Sequence, residues 1–388
     1  MTELFETLAD LIRINSVNAF YDGGPGEADL ARYVDKFFRD RGIETWLQNV
    51  LDANGSIEAR ANVIARIPGN DSNRLIVLEA HMDTVSVQGM SIPPFEPSVR
   101  DGLMYGRGAC DTKAGLAAMM HAVATIHSSR VKPPYDVLLA AVVDEEYSFR
   151  GVKKLCEDLE ADAAIVAEPT DLRVAIASKG VLRWRILTTG KSAHSSKAHL
   201  GINAIYHMAR VALAIEQDHA ALAQASYPLL GPASCNVGII AGGVQVNFVP
   251  DGCAIEIDRR LLPNETVADV WRHYEELLDG LKETIPELNV RMEQPMLVDE
   301  AWTVDPSNSF VRTARNVLTD LGLNEEPIGV PFGSDASKLG RKGIPTIIFG
   351  PGSIDQAHGA IEYIELKQVV QAFDFYRGCV MAFGGANR

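Results

Sequence analysis

The chain has 388 residues, 47% of them hydrophobic and 22% charged, with a formal net charge of −15 and a pI near 5.1. That length exceeds what a single core ordinarily serves, so two domains are expected, and the acidity argues against nucleic acid or an anionic membrane surface as partner. Five scattered cysteines (Cys110, Cys156, Cys235, Cys253, Cys379) without a Cys-x-x-Cys pair predict reduced thiols. An acidic start (Glu3, Glu6) and the lack of an apolar run of about 20 residues add the expectation of a soluble, cytoplasmic protein.

Leu4, Phe5, Leu8, Leu11 and Ile12 share one helical face, and 30–41 repeats the pattern before Gly42 stops it. Strand candidates follow at 43–50, 62–67 and 75–80, then a helix at 112–126, a strand at 136–143, a helix at 152–159 and a strand at 163–167. The unbroken apolar run 137–143 suits a strand buried on both faces, hence a largely parallel sheet covered by helices. From Val174 the rhythm changes: a long strand (174–189), a helix (203–216), strands at 235–241 and 253–259, a helix (267–285) and a strand (288–292). That order is β-α-β-β-α-β, a ferredoxin-like unit inserted in the chain. The helix–strand–helix pattern resumes at 310–321, 345–350 and 366–383. The expected domains are therefore 1–177 with 293–388, discontinuous, and 178–292.

Chemistry-bearing residues recur just past these strands. His81 and Asp83 follow 75–80, two apart, so Asp83 is placed to accept the proton on the second ring nitrogen of a metal-bound His81. The plainer alternative is a buried histidine beside a carboxylate. Asp111 ends a Gly-rich approach and precedes a helix, and is equally well explained as its N-cap. Asp144, Glu145 and Glu146 follow the most apolar strand; three acids there repel one another unless a cation neutralises them. Glu168 ends 163–167 before Pro169, and His358 lies in the loop after 345–350. Each alone has a bland reading, but together they supply two imidazoles, three carboxylates and one further carboxylate as base. Those are the components of a two-zinc hydrolase. His121, His127, His207, His219 and His273 lack an i, i+4 partner and read as surface or core histidines, and no Gly-x-Ser-x-Gly elbow supports a serine hydrolase.

The segments Ala80-His81-Met82-Asp83-Thr84-Val85, 106–115, Asp144-Glu145-Glu146 and Ala167-Glu168-Pro169-Thr170 stand in the order of one family. The chain resembles, over nearly its whole length, the co-catalytic zinc peptidases that include aminoacylases, glutamate carboxypeptidase, succinyl-diaminopimelate desuccinylase and acetylornithine deacetylase. The resemblance implies an α/β catalytic domain plus an inserted lid and dimerisation domain. It implies two zinc ions per subunit, although such donors admit cobalt or manganese as well: Asp111 bridging, His81 and Glu168 on one ion, Glu146 and His358 on the other, and a cis peptide after Asp111. Glu145 is then the general base, removing the water's proton and passing it to the leaving amine. His194, in Ser192-Ala193-His194-Ser195, matches a histidine that reaches the partner's active site in a homodimer, and Asn247 and Arg259 match positions that hold the substrate carboxylate. The loop ending at His358 resembles the acetylornithine deacetylase branch, which makes an N-acyl amino acid the expected substrate; a desuccinylase or a carboxypeptidase/dipeptidase is the alternative. Cys110 departs from that branch's pattern, and 332–336 is closer to the broader family.

Overall fold

A computed structural model of the chain describes residues 2–51, 60–129 and 131–384. It divides into two compact units, one formed by Met1–Ile176, Val304–Ile328 and Ser334–Arg388, the other by Ala177–Thr303 with Gly329–Gly333.

The first unit is built on four strands that lie parallel, side by side, in the order Tyr135–Val142, Asp71–His81, Ala163–Val166, Thr346–Ile348. Antiparallel strands flank them: Ala61–Ile67 and then Glu44–Asn49 on one side, Ala175–Ser178 on the other. Every residue of Tyr135–Val142 after the first is buried, as expected of a strand covered on both faces. The Lys113–Ser128 helix packs against the sheet and against Leu366–Ala382. Its small residues let it approach closely. A side chain at Gly115 would bring its Cβ within 2.8 Å of the Ala167 Cβ, which draws the start of this helix against the end of the Ala163–Val166 strand.

The second unit carries a β-α-β-β-α-β succession: Gly180–Thr189, Ala204–Leu222, Ser234–Gly242, Gly252–Leu261, Val267–Thr284 and Asn289–Met292. Its antiparallel sheet runs Ser234–Gly242, Gly252–Leu261, Gly180–Thr189, Asn289–Met292, with Leu297–Asp299 also on Gly180–Thr189. In chain order the four main strands lie 4-1-3-2, the ferredoxin-like arrangement. Side chains alternate along Gly252–Leu261, so Cys253, Ile255, Ile257, Arg259 and Leu261 are all buried. Asn203 and Thr266 cap the two helices by accepting from the amides of Tyr206 and Asp269, each at 3.1 Å.

The single strand expected over 174–189 is two strands, Ala175–Ser178 and Gly180–Thr189. The chain breaks at Lys179–Gly180 because backbone atoms of Asp299 and Ala301 come within 2.4 Å of where a Cβ would stand on Gly180, a close approach that apolar patterning does not report. The helix expected at 152–159 is Arg150–Cys156. The three-residue strands Ser98–Arg100, Leu103–Tyr105 and Tyr363–Glu365, which form a small separate sheet, are too short to show a period. All five cysteines are free thiols, and among the described residues no helix is long and apolar enough to cross a membrane.

Beside the parallel strands a buried ion network ties the N-terminal segment to the sheet. Arg60 donates to Glu27 (Nε at 2.8 Å to Oε2) and, at 3.4 Å, to Asp144, whose other oxygen accepts from Arg150 at 2.7 Å. Glu27 also accepts the Asp144 amide at 3.1 Å. Arg60→Met leaves the Glu27 charge buried without its partner, and should lower unfolding free energy by about 3–5 kcal/mol, measured as the shift in the urea midpoint at unchanged m-value.

Candidate metal centre

Parallel neighbours end at the same edge of a sheet, so the residues just past their carboxyl ends meet there. His81 is the last residue of Asp71–His81, Glu145 and Glu146 follow Tyr135–Val142, Glu168 follows Ala163–Val166, and His358 lies in the loop after Thr346–Ile348. Asp111 arrives from the loop that precedes Lys113–Ser128. Thr112, not Asp111, occupies the N-cap position, and its hydroxyl donates to the Ala167 carbonyl at 3.0 Å rather than capping the helix, so the N-cap explanation of that aspartate falls away. The peptide between Asp111 and Thr112 is cis.

Two groups of ligand atoms form, each lying within 4.8 Å of one another: His81, Asp111 and Glu168, and Asp111, Glu146 and His358. Asp111 belongs to both. Its Oδ1 lies 3.0 Å from His81 Nε2 and its Oδ2 lies 3.2 Å from His358 Nε2, which is also 3.2 Å from Glu146 Oε1. One carboxylate thus presents one oxygen to each imidazole. Glu145 is buried and belongs to neither group.

The sequence places Asp83 as acceptor for His81; the structure divides that role. His81 Nδ1 lies 3.0 Å from the main-chain oxygen of Asp83 and 3.7 Å from its carboxylate. The Nδ1 proton therefore goes to the carbonyl, which leaves Nε2 directed at Asp111. The Asp83 carboxylate accepts instead from the amides of Glu145 (3.1 Å) and Glu146 (3.0 Å), and from Asn18 Nδ2 (2.7 Å). It fixes the peptide that carries both glutamates, because Asp83 lies beyond the end of the strand, where the alternation of faces no longer holds. Asp144 stands outside the cluster, neutralised by Arg60 and Arg150 and accepting a hydrogen bond from Asn18 Nδ2 at 2.9 Å. Of the three acids expected to share a cation, only Glu146 belongs to a ligand group.

Electrostatics follow from burial. Burial pushes the Glu145 and Glu168 carboxyls well above the usual carboxylate range, reinforced by the neighbouring acids and opposed by His81. Burial would raise Asp111 too, but hydrogen bonds with His358 and His81 hold it below its ordinary value. Burial would lower both histidines, yet the surrounding carboxylates win: His81 is held well above its ordinary value and His358 is pushed up to about 11. The cluster attracts positive charge. Imidazole nitrogens and carboxylate oxygens in two groups sharing one ligand fit a pair of divalent cations.

Of the remaining sequence-singled residues, His194, Asn247 and Arg259 lie in the second unit and Cys110 in the first. His194 is exposed, with Nδ1 2.8 Å from Ser196 Oγ. Asn247 is exposed, and its main-chain oxygen accepts from the Ser195 amide at 3.0 Å. Arg259 does not present an open fork. It is buried on the core face of its strand and donates to Glu265 and to the Arg260 carbonyl. The Cys110 thiol is directed at the Ser353 carbonyl, 3.3 Å away. The sequence reading missed Asn18 and Glu362, neither of which sits in a periodic or Gly-rich context.

A mixed sheet that presents such a cluster at the carboxyl ends of its parallel strands is a framework suited to metal-assisted hydrolysis. Residues 77–382 match the model of peptidase family M20/M25/M40, and the chain belongs to that family. It is 30% identical to an acetylornithine deacetylase of Myxococcus xanthus, covering 98% of this chain and 97% of that protein. It is 26% identical to a probable succinyl-diaminopimelate desuccinylase of Staphylococcus aureus, covering 97% and 96%. A tripeptidase structure from Staphylococcus aureus shares the fold with a TM-score of 0.81 at 23% identity, over 98% of this chain and 97% of that one.

The overlap at Asp111 has a measurable consequence. Asp111→Asn should retain less metal at both positions, whereas Glu168→Gln and Glu146→Gln should each deplete one, read as metal per chain after dialysis. Full occupancy in Asp111→Asn would exclude a shared ligand.

Proposed function

We propose that the protein hydrolyses the amide bond of an N-acyl amino acid, in the manner of an acetylornithine deacetylase, with a pair of zinc ions as cofactor. Asp111 carries this reading: its two oxygens face two separate ligand groups while Glu145, buried beside them, belongs to neither. His81, Asp111 and Glu168 would hold one ion, and Asp111, Glu146 and His358 the other. When bound, such a pair supplies Lewis acidity to an amide carbonyl and to an attacking water. Cobalt or manganese suits the same donors.

Glu145 is the residue we assign as general base. It takes a proton from water and returns it to the departing amine, so that acid and base work fall to one carboxyl group. Asp83 acts through it: by accepting the amides of Glu145 and Glu146, its carboxylate holds base and ligand in a fixed relation. A structural metal site has no use for the extra glutamate, which favours catalysis over a silent binding role.

The similarity to a deacetylase over nearly the full length of both chains supports the N-acyl amino acid. A desuccinylase or a carboxypeptidase/dipeptidase is the second reading, the desuccinylase supported by the 26% identity to a probable succinyl-diaminopimelate desuccinylase. Arg259 and Asn247 are assigned to the substrate carboxylate; for Arg259 this means exchanging Glu265 for substrate. The test is amine release by the metal-loaded enzyme from N-acetyl, N-succinyl and N-formyl amino acids and from dipeptides. N-acetylornithine should rank among the best, free acids should exceed their amides, and Glu145→Gln should fall by about 100-fold or more with its metal retained. Equal cleavage of acids and amides would remove Arg259 from recognition. Near-normal turnover in Glu145→Gln would remove the base.

We also propose a homodimer formed by the second unit. Ser234–Gly242 is an edge strand of its sheet, exposing Ile239 and Ile240, and Tyr206 and Leu213 are exposed on Ala204–Leu222. Unpaired edges with apolar side chains are ordinarily covered. In such a dimer His194 would serve the partner's site, donating to the oxyanion, a contact whose loss costs on the order of 10²–10³ in turnover. Mixed dimers of inactive His194→Ala and inactive Glu145→Gln should then regain activity; verified mixed dimers without activity would confine His194 to its own subunit or to no role.

A further inference from the structure

The loop leading to Asp111 is held by a residue from the segment that carries His358. Glu362 is fully buried. Its Oε1 accepts the amides of Cys110 (2.9 Å) and Asp111 (3.1 Å), and its Oε2 accepts the Gly108 amide (3.1 Å) and Arg107 Nη1 (2.7 Å). Its own main-chain oxygen accepts the Gly106 amide at 3.1 Å. Arg107, also buried, donates through Nη2 to the carbonyls of Ser86 (3.0 Å) and of Gly359 (3.5 Å), the residue after His358. One carboxylate and one guanidinium therefore join 106–111, which ends in Asp111, to 358–362, which begins with His358. The loop wraps this closely because Gly108 has φ +80° and no room for a side chain: a Cβ there would lie 2.8 Å from Thr84 Cγ2 and 2.9 Å from Lys113 Cδ.

We propose that Glu362 and Arg107 are the positioning pair of the metal centre. They fix the bridging carboxylate of Asp111 relative to the imidazole of His358, and thereby set the cation affinity of the Asp111–Glu146–His358 group. The inference rests on the reading of Asp111 and His358 as ligands. The donor count explains why a carboxylate stands at 362. Four N–H donors converge on two oxygens, two on each. A glutamine in the same place offers one oxygen and one NH2 group, so two donors would face a donor. The supporting layer behind metal ligands orients them, and its loss typically weakens metal binding by about 10- to 100-fold.

The experiment titrates metal-free full-length protein with Zn2+ by calorimetry and records Tm with and without metal, for wild type, Asp111→Asn, Glu362→Gln and Arg107→Lys. We expect wild type to bind two ions. Glu362→Gln should keep the wild-type circular dichroism, bind at least one ion about 10-fold more weakly or worse, and gain less Tm on metal addition. Arg107→Lys, which keeps the charge and loses the fork, should shift the same way and serves where Glu362→Gln does not fold. A purely structural pair would lower Tm equally with and without metal and leave both dissociation constants unchanged, and that result overturns the proposal. Failure of both variants to fold overturns it too, by making the pair a determinant of the fold. Two ions bound by wild type and lost from Asp111→Asn, with unchanged affinity in Glu362→Gln, defeat this inference alone. No ions bound by wild type defeats the ligand reading as well.

Discussion

Asp111, Glu145 and Glu168 are crowded together and buried, with the half-buried Glu146 beside them, and like charges in such a setting raise one another's proton affinity unless something offsets them. The parallel alignment of four strands makes that crowding unavoidable, because it delivers their carboxyl ends to one edge. Two imidazoles interleave with the acids, and each is held above its ordinary pKa by them. A cluster of this composition is suited to cations, whose charge would balance the acids.

A second tier of carboxylates does different work. Asp83 and Glu362 spend their oxygens on backbone amides: Asp83 on Glu145 and Glu146, Glu362 on Gly108, Cys110 and Asp111. Each immobilises a peptide carrying groups of the inner cluster. A buried acid that accepts several N–H bonds is satisfied without a metal, which sets these two apart from Asp111 and Glu168, members of the ligand groups, although residue type and burial are alike. Asp144 is a third case, neutralised by arginines on the far side of the same turn. Neighbours in sequence at 144–146 thus have unrelated partners.

Within the second unit, strand alternation explains more than identity does. Arg259 falls on the same face as Ile255 and Ile257 and is closed off by Glu265, whereas His194 and Asn247 lie in exposed turns. Any substrate contact by Arg259 carries the cost of separating its part-buried ion pair with Glu265, while His194 is accessible as it stands.

The sequence by itself determined the local features: the buried run within Tyr135–Val142, the β-α-β-β-α-β succession, and the residues after strands or a Gly-rich turn that became His81, Asp111, Glu146, Glu168 and His358 of the cluster. Periodicity and punctuation suffice for these because each depends on neighbours in the chain. The tertiary structure alone decided which acids face one another. It separated Asp144 from Glu145, turned Asp83 toward backbone amides, broke 174–189 at Gly180 where another backbone approaches, and set Glu362 behind Asp111 across 251 residues. Those contacts join segments far apart in sequence, and hydrogen-bond direction leaves no imprint on hydrophobic pattern.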